Sequence, residues 1–351
     1  MSREILIIRL SSIGDVIHCT PVAASLKAAW PDCRITWLVG EVCADLIRYN
    51  PHVDDIIVWP RERFDKHVRT REWRQALSLW RDLKKQLAKR IFYAALDIHG
   101  LFLTGMIARQ AQTSLRIGMA EARELNPWLM TKTAPQLGTH IIDRYLGVLT
   151  PLGIRPACRA MTLVVPQEAR EFAKEYLQKA NISAQDKLVV LVPGTTWVTK
   201  NWPPDFFARA AAALSPDFKI LLCGGKNEER MGEAIVAGAG IAAVNAIGRT
   251  SLLQMAALLE NASVVIAGDT GPLYMAAALG TPTVGIFGPT SPETYTPPGK
   301  QHTAAVSRQS CSFCHKTKCP KENPVCISSV TPEHVIAKVY HLLNHDPHAY
   351  R

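Results

Sequence analysis

The chain has 351 residues, of which 48% are hydrophobic and 20% charged, and carries a formal net charge of +10. That length suits two domains of ordinary size, and the composition excludes a disordered or collagen-like chain. The positive balance points to anionic partners without choosing among nucleic acid, an acidic membrane surface and phosphorylated small molecules.

At the start, Met1-Ser2-Arg3-Glu4 runs directly into apolar Ile5–Ile8, without the long apolar core or small-residue cleavage site of a secretory signal. The best candidate for a membrane span, Ala234–Gly248, is uncharged but Gly-rich and interrupted by Asn245. It falls short of the roughly 20 apolar residues that a span needs. A cytoplasmic protein is expected, with its nine cysteines reduced unless a cluster of them binds metal.

In chain order, the first half reads as strands at Glu4–Leu10, Arg34–Val39, Asp55–Trp59 and Tyr93–Ile98. Uninterrupted apolar runs of this kind suit parallel strands covered on both faces. Helices are expected at Pro21–Trp30, Val42–Tyr49 and Glu72–Arg90, the last with Trp73, Ala76, Leu77, Trp80, Leu83 and Leu87 at helical spacing. The second half repeats the scheme, with strands at Leu188–Val192, Lys219–Cys223, Ala243–Ile247, Val264–Ala267 and Thr283–Phe287. Helices fit at Asp205–Leu214, Glu228–Ala237, Ser251–Leu259, Gly271–Leu279 and Pro332–Leu343. Strand–helix alternation of this length predicts two doubly wound α/β domains. They divide at about residue 160, and the segment 331–351 is free to pack back on the first. Ligands of such sheets bind beyond the carboxyl ends of the strands, so the cleft between the two domains is where unusual residues should gather.

Three stretches follow strands in that way. Arg9-Leu10-Ser11-Ser12-Ile13-Gly14-Asp15 offers hydroxyls, backbone N–H groups and a carboxylate. Asp15 either accepts a proton from a substrate hydroxyl or caps the following helix. Gly194-Thr195-Thr196 with Lys200 forms a phosphate cradle or a solvated surface loop. Asp269-Thr270-Gly271-Pro272 opens a helix rich in small residues, whose N–H groups and dipole suit a diphosphate. Neither the dinucleotide-binding glycine pattern nor a P-loop is present.

In order and spacing the three stretches resemble glycosyltransferase family 9, the bacterial ADP-heptose:lipopolysaccharide heptosyltransferases. The resemblance runs from Ile5 to the final helix. It rests on Asp-Thr-Gly-Pro at 269–272, Ala-Ala-Ala at 276–278, Gly-Thr-Pro at 280–282 and Phe-Gly-Pro-Thr at 287–290, paired with Ser-Ser-x-Gly-Asp at 11–15. It implies the GT-B architecture, two facing Rossmann-like domains with the acceptor on the first and the donor, ADP-heptose, on the second. It also implies inversion at the sugar carbon, no metal and no cofactor. Asp15 would then be the base, with Arg9, Ser11, Ser12, Arg61, Arg63 and Arg123 on the acceptor. Lys200, Thr195 and Thr196 would hold the donor diphosphate, Glu228 its ribose, and Asp269, Thr270 and Gly271 its sugar and phosphate. Lys200 would also neutralise the departing ADP.

One position departs from the family: Tyr274 stands where many members carry His, which keeps another nucleotide sugar or another glycan acceptor open. Tyr can hydrogen-bond a phosphate but carries no positive charge near neutral pH. A non-catalytic nucleotide-sugar binder or a nucleic-acid binder is the more distant alternative. The latter lacks interleaved aromatic and basic residues, so no nucleic-acid partner is expected. A lipid-borne acceptor implies transient contact with the cytoplasmic face of the inner membrane. Which heptose would be added stays open, since the stretch Asp97–Leu101 and Arg123 favour the first and the Cys-rich loop the second. That loop, Cys311, Cys314, Cys319 and Cys326, could bind zinc, form disulfides or stay reduced.

Overall fold

The computed structural model describes residues 3–321 and 324–344. Two compact units meet in sequence between Leu163 and Val164.

The first unit holds β1 (Glu4–Ile8), β2 (Arg34–Gly40), β3 (Asp55–Trp59), β4 (Ala94–Asp97), β5 (Arg116–Met119) and β6 (Lys132–Ala134). They form one parallel sheet in the order β3-β2-β1-β4-β5-β6. The second unit holds β7 (Leu188–Val192), β8 (Lys219–Leu222), β9 (Val244–Asn245), β10 (Val264–Gly268), β11 (Thr283–Phe287) and β12 (His302–Val306). Its order, β12-β11-β10-β7-β8-β9, is the same arrangement. In each sheet the first strand lies at the centre and the order reverses beside it, at β1/β4 and at β7/β10. That reversal opens a crevice past the strand ends. The expected α/β class and doubly wound sheets are therefore present. The central strands β7, β10 and β11 are buried throughout, as their unbroken apolar runs require.

Several local expectations need correction. The first helix runs from Ile13 to Ala29 and passes through Pro21 rather than starting there. Proline cannot donate to the Ile17 carbonyl, and the buried Thr20 hydroxyl donates to it instead, at 2.7 Å. The basic stretch after β3 forms a helix, Arg61–Arg69, that fully buries no residue. β5, β6 and β12 were not anticipated. The final helix, Pro332–Asn344, packs within the second unit. Its Val335, Val339 and Leu342 join Trp202, Phe207 and Leu214 in the core of the second. Residues 345–351, the rest of that expected segment, lie outside the described residues.

Candidate active site

In the first unit the chain leaves β1 at Ile8, whose register partner on β4 is Asp97. The two strand ends thus place their loops side by side. From the β1 side, Ser12 caps the helix Ile13–Ala29, and Asp15, one turn in, reaches back to the Ser12 hydroxyl at 2.9 Å. Capping is one of two tasks for Asp15. Its second oxygen accepts from the Tyr145 hydroxyl at 2.7 Å, and Arg9 Nη2 lies 2.6 Å from the oxygen that faces Ser12. Arg9 is itself fixed, donating Nη1 to the Ile98 carbonyl at 2.9 Å while its guanidinium sits 5.1 Å from the centre of the Tyr145 ring. Asp15 still exposes 30% of its side chain, so a substrate can reach it.

Burial alone would raise the Asp15 carboxyl. The Arg9 charge and the Tyr145 and Ser12 hydroxyls outweigh it and hold Asp15 well below the usual carboxylate range. Burial pushes the Tyr145 phenol well up, aided by Asp15 against the opposing charge of Arg9, so it stays a neutral donor.

The β4 loop is shaped by Asp97, which is fully buried. It accepts from the N–H groups of His99 and Gly100, each at 3.1 Å, and from Asn126 Nδ2 at 2.7 Å. Burial raises the Asp97 carboxyl, with those donors opposing. His99 is lowered to about 3 by burial and by the charges of Arg9 and Arg61, and is therefore neutral.

The other residues expected on the acceptor are less concentrated. Ser11 is exposed. Arg61 pairs with Asp65 at 2.7 Å and Arg63 with Glu41 at 2.6 Å. Arg123 is exposed and tied by its backbone N–H to the Gly100 carbonyl at 3.2 Å. Tyr145 and Asn126 were not singled out from sequence, and Asp97 and His99 only as part of the stretch Asp97–Leu101. Tyr145 lies 130 residues from Asp15, so no local spacing announces the contact.

In the second unit, Gly268 ends β10. A Cβ there would sit 2.9 Å from the Thr195 methyl and 3.2 Å from the Lys200 carbonyl. Only glycine lets the two loops come this close. The approach brings Lys200 Nζ to 2.7 Å from Asp269 Oδ2, with the ammonium 4.2 Å from the Trp197 ring centre. Tyr274, 3% exposed, donates its hydroxyl to the other Asp269 oxygen. Tyr274 thus places a buried donor behind Asp269. Thr270 and Gly271 head the helix Gly271–Ala278 and are half-buried.

Thr195 is engaged within its own loop, its hydroxyl 2.7 Å from both the Trp197 carbonyl and Asn201 Oδ1, whereas Thr196 is exposed. Glu228 fills a niche that two glycines make, since a Cβ on Gly194 or Gly224 would fall within 2.3 Å of its carboxylate. Burial raises the Glu228 carboxyl, and the Gly225 N–H, at 2.9 Å, opposes that.

Cys311, Cys314, Cys319 and Cys326 line one cavity of about 70 Å³ beside Thr199 and Pro289. None is in a disulfide. Among the described residues no three His, Cys, Asp or Glu side chains are gathered as a metal ion would need. The loop is fastened to its neighbours. Thr199 donates its hydroxyl to the Lys316 carbonyl at 3.1 Å, and His315 donates its N–H to the Pro289 carbonyl at 2.8 Å.

Comparison with known proteins fits this arrangement. The family model for glycosyltransferase family 9 (heptosyltransferase) matches residues 80–324. Lipopolysaccharide heptosyltransferase 1 of Pseudomonas aeruginosa is 26% identical over 97% of this chain and 98% of its own length. The lipopolysaccharide core heptosyltransferase OpsX of Haemophilus influenzae is 25% identical over 76% of this chain and 74% of its own. Among solved structures, a glycosyl transferase family 9 protein from Veillonella parvula superposes with a TM-score of 0.85 at 24% identity, covering 99% of both chains. The E. coli heptosyltransferase WaaC with ADP gives 0.76 at 22% identity, covering 97% of this chain and 99% of that one.

Proposed function

The chain belongs to glycosyltransferase family 9, the heptosyltransferases, and from that premise we propose that it transfers heptose from ADP-L-glycero-D-manno-heptose to the inner core of lipopolysaccharide. The relatives named as lipopolysaccharide heptosyltransferases support this substrate pair. The observation that carries it is Asp15, a reachable carboxylate held in fixed orientation by Arg9, Ser12 and Tyr145.

In this reading the first unit holds the acceptor and the second the donor. Asp15 takes the proton of the acceptor hydroxyl as that oxygen attacks the anomeric carbon, and the configuration inverts. A carboxylate so strongly stabilised is a weak base. The anionic acceptor must therefore draw Arg9 partly onto itself, which frees Asp15 to accept the proton. Lys200 turns from Asp269 to the diphosphate and offsets the charge that grows on ADP, a role that a divalent ion fills in many other transferases. The N–H groups of Thr270 and Gly271 add the positive end of the helix dipole. Glu228 binds the ribose hydroxyls. No metal or cofactor is required. The enzyme works at the cytoplasmic face of the inner membrane, where it meets the lipid-borne acceptor transiently.

A second reading, the same chemistry with another nucleotide sugar, is favoured by Tyr274, because a buried phenol adds no positive charge to the donor site. The test is ADP release by the purified protein with ADP-heptose and inner-core acceptors that lack or already carry the first heptose. Turnover on one acceptor, abolished in Asp15→Ala with donor binding retained, is the expected result. Failure of ADP-heptose to bind to the folded protein would sink the heptose assignment and leave the second reading.

A further inference from the structure

Between Arg61 and Arg90 stand eleven Lys and Arg residues against four Asp and Glu, a surplus of seven within the chain's net +10. The structure folds this stretch into two helices, Arg61–Arg69 and Trp73–Leu87. Their inner side is well packed. Phe64 and Trp80 close on Trp59 of β3, while Ala76, Leu83 and Leu87 are buried. Trp73 and Leu77 are left outside that core, 61% and 45% exposed. They lie one helical turn apart on the same face, and Val68, in the last turn of the preceding helix, is 37% exposed.

Around these apolar groups the charge is uncompensated. Asp65 is taken by Arg61, Glu72 by His67, and Asp82 lies 3.9 Å from Lys85. Arg69, Arg71, Arg74, Arg81 and Lys84 are exposed, and none of them forms an ion pair within the described residues. An exposed tryptophan beside a leucine within a field of unpaired cations has the character of an interfacial helix. The indole enters the headgroup boundary and the cations meet lipid phosphates. A soluble anion would account for the charge but leaves Trp73 and Leu77 without a partner.

We propose that the outer face of these two helices docks on an anionic lipid bilayer, with Trp73 and Leu77 inserted and Arg74, Arg81 and Lys84 on the headgroups. This extends the membrane contact of the preceding section and rests on that reading only for which membrane is meant. The full chain is tested by co-sedimentation with phosphatidylcholine vesicles that contain or lack phosphatidylglycerol. Expected are binding to the anionic vesicles only and its loss at high salt. A roughly ten-fold or greater weakening is expected in Trp73→Ser/Leu77→Ser and in Arg74→Gln/Arg81→Gln/Lys84→Gln, given about five-fold per cation near an anionic surface. Both variants should melt like the parent and keep its turnover on a detergent-dispersed acceptor.

Parent binding that ignores lipid charge, or variants that bind as the parent does, overturns the proposal. So does turnover on the dispersed acceptor that falls in step with vesicle binding, which would make this face an acceptor site. Vesicle binding without heptose transfer leaves the docking face standing and removes the function reading. Transfer without vesicle binding does the reverse.

Discussion

Asp15 carries opposing demands, and Tyr145 is the residue that adjusts them. Its phenol donates to the carboxylate and lends its ring to the Arg9 guanidinium. Tyr145→Phe keeps the ring and removes the donor. A hydrogen bond to a charged group contributes about 1.5–3 kcal/mol, so the variant should lose stability of about that order, read by denaturant unfolding. The sign of the pH effect is separate. Tyr145 helps to hold Asp15 below the usual carboxylate range, so its loss raises that pKa and moves the acid limb of the pH–rate profile upward. A limb that stays in place would remove Tyr145 from the machinery. Sequence alone exposed Arg9, Ser12 and Asp15 because they share one strand-end loop. Tyr145 was invisible, since it reaches Asp15 through the packing of two helices remote in sequence. Asn126, the partner of Asp97, was hidden for the same reason, their bond spanning 29 residues.

Among elements, the loops after β7, β8 and β10 depend on glycines that make room for neighbouring groups. Gly194 leaves space for the Glu228 carboxylate, and an alanine Cβ would come within 1.9 Å of it. The side chain can swing away, so Gly194→Ala should fold. Donor affinity should drop about ten-fold, in line with one lost hydrogen bond to a charged group. Calorimetric titration with ADP-heptose measures it, and unchanged affinity would detach Glu228 from the donor. The long apolar strands were readable because burial on both faces demands continuous hydrophobic runs. β6, with Lys132 and Thr133 exposed, carries too little pattern to be read, whereas β9 was placed within Ala243–Ile247 but is only two residues long. The helix Arg61–Arg69 has no fully buried residue, so no apolar stripe marks it in the sequence.

Across the whole molecule, each unit contains an imidazole that desolvation keeps neutral. His302 is lowered to about 4 by burial, its Nδ1 2.9 Å from the Thr283 hydroxyl, and His99 to about 3. Both folded values lie below the unfolded value of about 6.5. The stability they carry is therefore complete above that pH and is lost as pH falls toward 4 and then 3. For His302 the gap of about 2.5 units corresponds to a loss on the order of 3 kcal/mol. Melting should shift downward between pH 6.5 and 4, and His302→Gln should flatten that part of the dependence. An unaltered slope in the variant would show that other groups set the acid limit. The two doubly wound sheets were legible from alternation alone. The place of the last helix was not, because an amphipathic stripe states that it packs but not on which surface.

The strand orders have a consequence for synthesis. Each sheet grows outward from the strand made first, but the two units finish at different distances from their own centres. The first sheet is complete with β6 at Ala134, well before its unit ends at Leu163. The second needs β12 at its edge and then Val335, Val339 and Leu342 from a helix running to Asn344. As domains emerge from the ribosome and fold in turn, the apolar floor that includes Trp202, Phe207 and Leu214 stands uncovered from its own synthesis until the last helix is made. That interval is when the chain is most exposed to aggregation, and a holdase would bind the second half of the nascent protein rather than the first.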